Sequence, residues 1–238
     1  MFKKIFYKMD SFYDKFWNLN INKSTYYDTK TTILIIDTKP SKNTICSILN
    51  TMWFFPHFPV LFYTNLNNMK KEFYEKLSNK KITILNSHIT INNRTDYDLY
   101  LKSKKLWQSI NTEKTLIIQH DTFVRRTGIE EFYSYDYIGA IWRCPEEIMR
   151  HHPVGNGGFS LRSTRIMEHL CNKHFSSKYY EDVYFSYRCL TDGFNLAPIE
   201  AASKFSCETV FSENPLGCHQ IWNWLTDSEI EHLTNFFI

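Results

Sequence analysis

Apolar residues along this chain fall into short unbroken runs separated by stretches of helical spacing. Thr32-Ile33-Leu34-Ile35-Ile36-Asp37, Val60-Leu61-Phe62-Tyr63, Ile82-Thr83-Ile84-Leu85 and Thr115-Leu116-Ile117-Ile118-Gln119-His120-Asp121 are such runs. They lack the polar alternation of a half-exposed strand, as strands covered on both faces do. Between them, residues 41–54, 67–77 and 97–110 carry apolar groups at helical spacing, the first stretch opened by Ser41 as a cap. Strands alternating with helices predict right-handed crossovers and a mainly parallel central sheet flanked by helices, an α/β fold. The second half predicts strands over 136–142 and 156–162, helices over 164–171 and 181–190, and a loop over 143–154. A loop of that length is commonly a functional one.

At the N-terminus, Phe2, Ile5, Phe6, Met9, Phe12, Tyr13, Phe16 and Trp17 fall on one helical face, with Lys3, Lys4, Lys8 and Lys15 between them. Residues 1–30 are expected to form an amphipathic helical extension, and residues 31–238 one domain. Three destinations for the apolar face stand open: its own domain, a second copy of the chain in a homo-oligomer, or a membrane surface.

Composition narrows the class. The chain has 238 residues, 43% of them hydrophobic and 17% aromatic, enough for one α/β core. A net charge of +3 with dispersed basic residues argues against nucleic acid as the main partner. No run reaches the roughly 20 apolar residues of a membrane span, and Asp10 and Asp14 interrupt any signal-peptide core. The six cysteines include no C-x-x-C pair, so they read as reduced thiols.

Candidate chemistry collects in the second half. The strand ending in Gln119-His120-Asp121 delivers polar groups to the sheet edge where α/β ligands bind. Asp121 there either caps a turn or holds a cation. Val154-Gly155-Asn156-Gly157-Gly158-Phe159-Ser160 holds three of the chain's seven glycines, so it forms either a tight hairpin or a surface that lets a ligand approach the backbone. Glu181-Asp182 opens a helix, where acidic residues suit the macrodipole or one of them accepts a proton. His219 is an ordinary histidine or a nitrogen ligand.

The order of these elements resembles that of GT-A fold glycosyltransferases. The segments Ile35 to Pro40, Ile118 to Thr122, Tyr135 to Trp142, Val154 to Ser163 and Glu181 to Ser186 look like one GT-A-like family of microbes and large DNA viruses, over about residues 31–224. The resemblance implies a Rossmann-like GT-A domain and a hexosyltransferase-type activity: transfer of a sugar from a UDP- or GDP-sugar to a hydroxyl of a glycan or other acceptor. It implies that Asp121 is the last residue of a QxD in place of the usual DxD, and that with His219 it binds Mn²⁺ or Mg²⁺. Gln119 then hydrogen-bonds a sugar or ribose hydroxyl. Asp182, with Glu181 next, is implied as the base of an inverting reaction. Asp37, Thr38, Lys39, Ser103, His120, Asn156, Gly157 and Gly158 are implied to line the donor cleft. The setting it suggests is glycan assembly in the cytoplasm of a microbe or of a virus-infected host cell. Two rivals are an inactive nucleotide-sugar-binding or scaffold protein of the same fold, for which Gln119 speaks, and a nucleotidyltransferase. The latter expects a Gly-rich basic loop after the first strand, and Asp37-Thr38-Lys39-Pro40 is not one.

Overall fold

The structure, a computed structural model, describes residues 2–19, 21, 30–78, 80, 82–86, 91–173 and 178–236, with side chains from residue 9 onward except those of 172 and 173. Thr31–Ile36 (β1), Val60–Thr64 (β2), Ile82–Asn86 (β3), Lys114–Ile118 (β4), Tyr137–Ile141 (β6) and Val154–Ser163 (β7) form the central sheet, in the order β3-β2-β1-β4-β7-β6. β1 pairs in parallel with β2 and β4, and β2 with β3. β7 is the exception: it runs antiparallel to both β4 and β6. The chain leaves β6, turns through residues 142–153 and returns beside it, so β7 enters the sheet against the common direction.

Burial explains the unbroken apolar runs. In β1, Ile33 and Ile35 belong to one core cluster and Leu34 and Ile36 to the other. The first cluster is closed by Lys42–Phe54 (α2) and Lys71–Ser78 (α3) through Ile45, Ile48, Leu49, Phe73 and Leu77. Arg94–Leu101 (α4), Lys104–Gln108 (α5), Thr164–Lys173 (α6) and Glu181–Thr191 (α7) close the second through Leu101, Trp107, Met167, Leu170, Val183 and Phe185. A sheet covered on both faces needs apolar side chains at successive positions. This is the α/β class, with a mainly parallel sheet flanked by helices, that the sequence predicts.

Some boundaries differ from the expected ones for local reasons. The helix expected over 97–110 breaks between α4 and α5, where the buried Lys102 ammonium turns to Asp98 (2.7 Å) and to the carbonyl of Tyr179. The helix expected over 67–77 starts as a 3₁₀ turn, Leu66–Asn68, because the Asn65 side chain accepts from Asn67 N (3.0 Å). The expected loop over 143–154 shortens, since β7 begins at Val154 and Glu147–Met149 forms a 3₁₀ turn.

A second, three-stranded sheet was not legible as a pattern. Thr122–Val124 (β5), Gly217–His219 (β9) and Ser206–Cys207 (β8) lie in the order β5-β9-β8. β5 pairs antiparallel with β9, Thr122 opposite His219, and β8 pairs parallel with β9, Cys207 opposite Cys218. Ile199–Phe205 (α8) leads into β8, and Asp227–Thr234 (α9) follows β9.

The N-terminal helix, Phe2–Trp17 (α1), docks on this second sheet. Phe12, Tyr13 and Phe16 are buried in a cluster with Cys46, Phe123, Cys218 and Trp222. Those apolar residues are therefore covered by the chain itself, the first of the three destinations; the side chains of Phe2, Ile5 and Phe6 lie outside the described residues. No described helix is long and apolar enough to cross a membrane, and the six cysteines are free thiols. Because the Phe12 ring is 4.7 Å from Phe123 and 5.6 Å from Trp222, Phe12→Ala should cost about 3–5 kcal/mol by the cavity it leaves, measured as a shift in the urea midpoint.

Candidate active site

The C-terminal ends of β1 and β4 open onto a cleft of about 430 Å³, the position expected for a ligand in an open α/β sheet. Asp37, Thr38 and Lys39 line it after β1, and Gln119 and His120 after β4. Asn156, Gly157 and Gly158 of β7, Glu181 and Asp182 of α7, and His219 of β9 complete its lining. Ser103 is not on this surface; it is the N-cap of α5, at the far end of α4 from the cleft-lining Arg94, Tyr97 and Asp98. Residues 143–153 also stay off the lining, and His152 Nε2 is tied to the carbonyl of Ala197 (2.8 Å).

Asp121 lies just behind the cleft wall, only 6% exposed. Its neighbour is set by register: with Thr122 opposite His219, the residue before β5 falls beside the end of β9. Asp121 Oδ1 is 3.2 Å from His219 Nε2. Gln119 Oε1 is 3.1 Å from the same nitrogen, while Gln119 Nε2 donates to the Tyr97 hydroxyl (3.0 Å). A neutral amide suits this position, since it must accept on one side and donate on the other. On the far side of the imidazole, Nδ1 donates to Glu208 Oε2 (3.0 Å). Glu208 follows β8 as His219 follows Cys218, so the parallel pairing of β8 with β9 brings the two together.

Electrostatics follow from this packing. Burial works against a charged His219, but the Glu208 and Asp121 carboxylates outweigh it and raise its pKa to about 10. Burial likewise opposes the Asp121 carboxylate, and the charges on His219 and His120 hold it down to about 2. Among the described residues the contact of Asp121 Oδ1 is its ion pair with His219 Nε2, a nitrogen that Gln119 Oε1 shares. Once His219 Nε2 gives up its proton, the carboxylate oxygen, the amide oxygen and the imidazole nitrogen that face one another would form a donor set fit for a small divalent cation. Among the described residues, no three His, Cys, Asp or Glu side chains converge to hold a metal ion. An ion here would therefore draw its remaining oxygens from a ligand.

The adjacent carboxylates of α7 have been made unequal. Glu181 is clamped by Arg162, Oε2 to Nη1 at 2.5 Å and Oε1 to Nη2 at 3.1 Å. Arg162 is fully buried, reaches Ser160 Oγ through Nε (2.9 Å) and lies over the Tyr137 ring at 4.7 Å. Both oxygens of Glu181 are thus occupied. Asp182 keeps one bond, from Val183 N to Oδ1 (2.8 Å). Burial, then the charge on Glu181, raise its pKa to about 7, the value suited to taking a proton near neutral pH.

β7 lets these two halves meet. A Cβ on Gly157 would overlap the Glu181 carboxylate, and one on Gly158 would overlap the His219 imidazole. Two successive bare positions therefore admit side chains from α7 on one side and from β9 on the other. Asp37, by contrast, is committed to local structure: it accepts from Lys39 N (2.9 Å) and from Thr44 Oγ1 (2.7 Å) at the start of α2.

Glu208, Arg162, Tyr97, Arg94 and Tyr180 were not singled out from sequence. Arg162 carried a signal, a charged residue within the otherwise buried run of β7. Cys207-Glu208-Thr209 carries none, since its role depends on strand pairing alone. Arg94 and Tyr180 face each other across the cleft mouth, the guanidinium carbon 3.9 Å from the ring centroid.

Residues 79–219 match the model of the family described as "Protein of unknown function (DUF5672)". The chain belongs to that family. A search of curated proteins finds no match. Among solved structures, the chain is similar to the apo-form glycosyltransferase GlyE of Streptococcus pneumoniae TIGR4, with a TM-score of 0.51 and 9% sequence identity. The likeness covers 84% of this chain, which spans 55% of that one. At such identity it shows a shared α/β fold alone.

Two outcomes test this geometry. Gly158→Ala should push His219 off Glu208 and lower stability, read as a drop in Tm with altered His219 ring signals in NMR spectra. Asp182 has a folded pKa of about 7 against an ordinary 3.8. Between those values the unfolded chain releases the proton first, so stability falls as pH rises from about 4 to about 7 and the loss is complete above. Asp182→Asn should match wild type near pH 3 and exceed it in Tm at pH 8, by about 2–4 °C for each kcal/mol recovered.

Proposed function

We propose that this protein is a nucleotide-sugar-dependent glycosyltransferase, transferring a sugar from a UDP- or GDP-sugar to a hydroxyl of a glycan or similar acceptor. The observation that carries the reading is the division of labour in one cleft: Asp182 tuned to about pH 7 on one wall, and the Asp121, Gln119 and His219 donor set on the other. The fold shared with a glycosyltransferase supports it.

In this reading the acceptor hydroxyl gives its proton to Asp182 as its oxygen attacks the anomeric carbon. The bond from that carbon to the diphosphate oxygen breaks, and its electron pair leaves with the nucleoside diphosphate. Attack from the side opposite the leaving group inverts the anomeric configuration. Glu181, held by Arg162, keeps α7 and hence Asp182 in place, and its fixed charge helps raise the Asp182 pKa. Gly157 and Gly158 keep the floor between the two walls open. A divalent ion, Mn²⁺ or Mg²⁺, would be held by Asp121 and His219 with Gln119, and would neutralise the charge of the diphosphate. Asp37, Thr38 and Lys39 lie where the nucleoside would contact the end of β1. The free thiols, Cys144 exposed among them, suit a reducing compartment such as the cytoplasm.

One observation favours the second reading, a sugar-nucleotide-binding protein without turnover: the first acidic position of the usual motif is the neutral Gln119. Donor consumption separates the two. Purified protein with Mn²⁺ should hydrolyse or transfer from UDP- or GDP-sugars, with a rate that rises with pH through an inflection near 7. Asp182→Asn should lower that rate by about 10²–10⁴-fold and remove the inflection, with donor binding retained. Donor binding with no turnover in any acceptor mixture, unchanged by Asp182→Asn, would leave the binding-protein reading in place.

A further inference from the structure

The N-terminal helix lies outside residues 79–219, the segment that matches the family, yet it packs beneath the candidate site. Rings of Phe12 and Tyr13 meet Phe123 of β5 at 4.7 and 6.5 Å, and Phe12 meets Trp222, just past β9, at 5.6 Å. β5 follows Asp121 and β9 ends in His219, so one helix braces both strands. Tyr13 is wholly buried, and among the described residues its hydroxyl meets no full hydrogen bond, Ser47 being the polar side chain that acts on it. Burying a polar group in this way is costly unless an electrostatic neighbour compensates.

A second contact comes from α2. Ser47 Oγ lies within hydrogen-bond distance of the carbonyls of His120 (3.0 Å) and Thr122 (2.8 Å), the residues on either side of Asp121. The same turn is tied from above, where Thr122 Oγ1 accepts from Gln119 N and donates to the carbonyl of Gly158, both at 3.1 Å. The turn is thus held on both sides, with Tyr13 and Ser47 supplying the buried side.

We infer that Tyr13 and Ser47 are positioning residues for Asp121, which makes the N-terminal helix, though it precedes the family segment, a working part of the site. They hold the turn over residues 119–122 so that Asp121 Oδ1 faces His219 and Gln119. The inference concerns the placement of Asp121; it rests on the proposed ion only for one of its two readouts.

The test uses the full chain as wild type, Tyr13→Phe, Ser47→Ala, and Leu170→Ala as a buried substitution in α6, remote from the turn. The first readout is the ring ¹H–¹⁵N signals of His219 in ion-free protein, and the second is the dissociation constant for Mn²⁺ alone. Tyr13→Phe and Ser47→Ala should each move the His219 signals and weaken Mn²⁺ binding by about 10-fold or more. Leu170→Ala should lower Tm and leave both readouts as in wild type. If wild type binds no Mn²⁺ but both variants move the His219 signals, the metal reading fails and the inference stands. Unmoved His219 signals in both variants, or an equal shift in Leu170→Ala, overturn it. A shift in Ser47→Ala alone removes Tyr13 and the N-terminal helix from the assignment.

Discussion

Everything in the cleft depends on how closely other elements can approach the backbone of β7. At Gly157 and Gly158 the strand has no side chains, and the space a Cβ would fill is taken by the Glu181 carboxylate and the His219 imidazole. Because β7 runs antiparallel between β4 and β6, it sets this bare stretch beside the turn that follows β4. Groups on three segments remote in sequence, Asp121, Asp182 and His219, thereby come to border one small volume. A methyl group at either glycine would force one wall outward. The constraint is steric and local, and its consequence is chemical.

The buried Arg162–Glu181 pair is the second determinant, and it depends on the first. A buried ion pair with good bidentate geometry is not by itself a strong source of stability, since desolvation offsets most of the attraction. Its consequence here is to differentiate two adjacent carboxylates. Glu181 loses both oxygens to Arg162 and becomes a fixed negative charge, and that charge, together with burial, lifts Asp182 to about 7. The opposite wall repeats the logic with other partners: Glu208 takes Nδ1 of His219, which leaves Nε2 to face Asp121 and Gln119. In both walls a carboxylate held by other groups sets the charge state of a neighbour that faces the cleft.

The fold class was readable because burial on both faces of a sheet writes itself into consecutive residues. The runs at β1, β2, β3 and β4 could hardly be anything else once helical spacing separates them. The short strands β5, β8 and β9 were not readable. Two or three residues carry no periodicity, and the pairing of β5 with β9 joins segments about a hundred residues apart. Helix ends moved where a side chain found a tertiary partner, as Lys102 did with Asp98. In the site, residues that stand at strand ends or beside glycines were identifiable, whereas Ser103, suggested by the resemblance alone, lies off the cleft lining. Glu208 and Tyr13 act through neighbours that only folding brings near.

The sequence by itself determined the α/β alternation, the carboxylate at the end of β4, the glycine pair and the acidic pair of α7, because each is a property of a few consecutive residues. Tertiary structure alone decided which carboxylate of Glu181-Asp182 is held and which is free to titrate, which nitrogen of His219 faces the cleft, and where the apolar face of the N-terminal helix is buried. Those outcomes depend on distance and desolvation between segments remote in the chain, and neither quantity is encoded in local spacing.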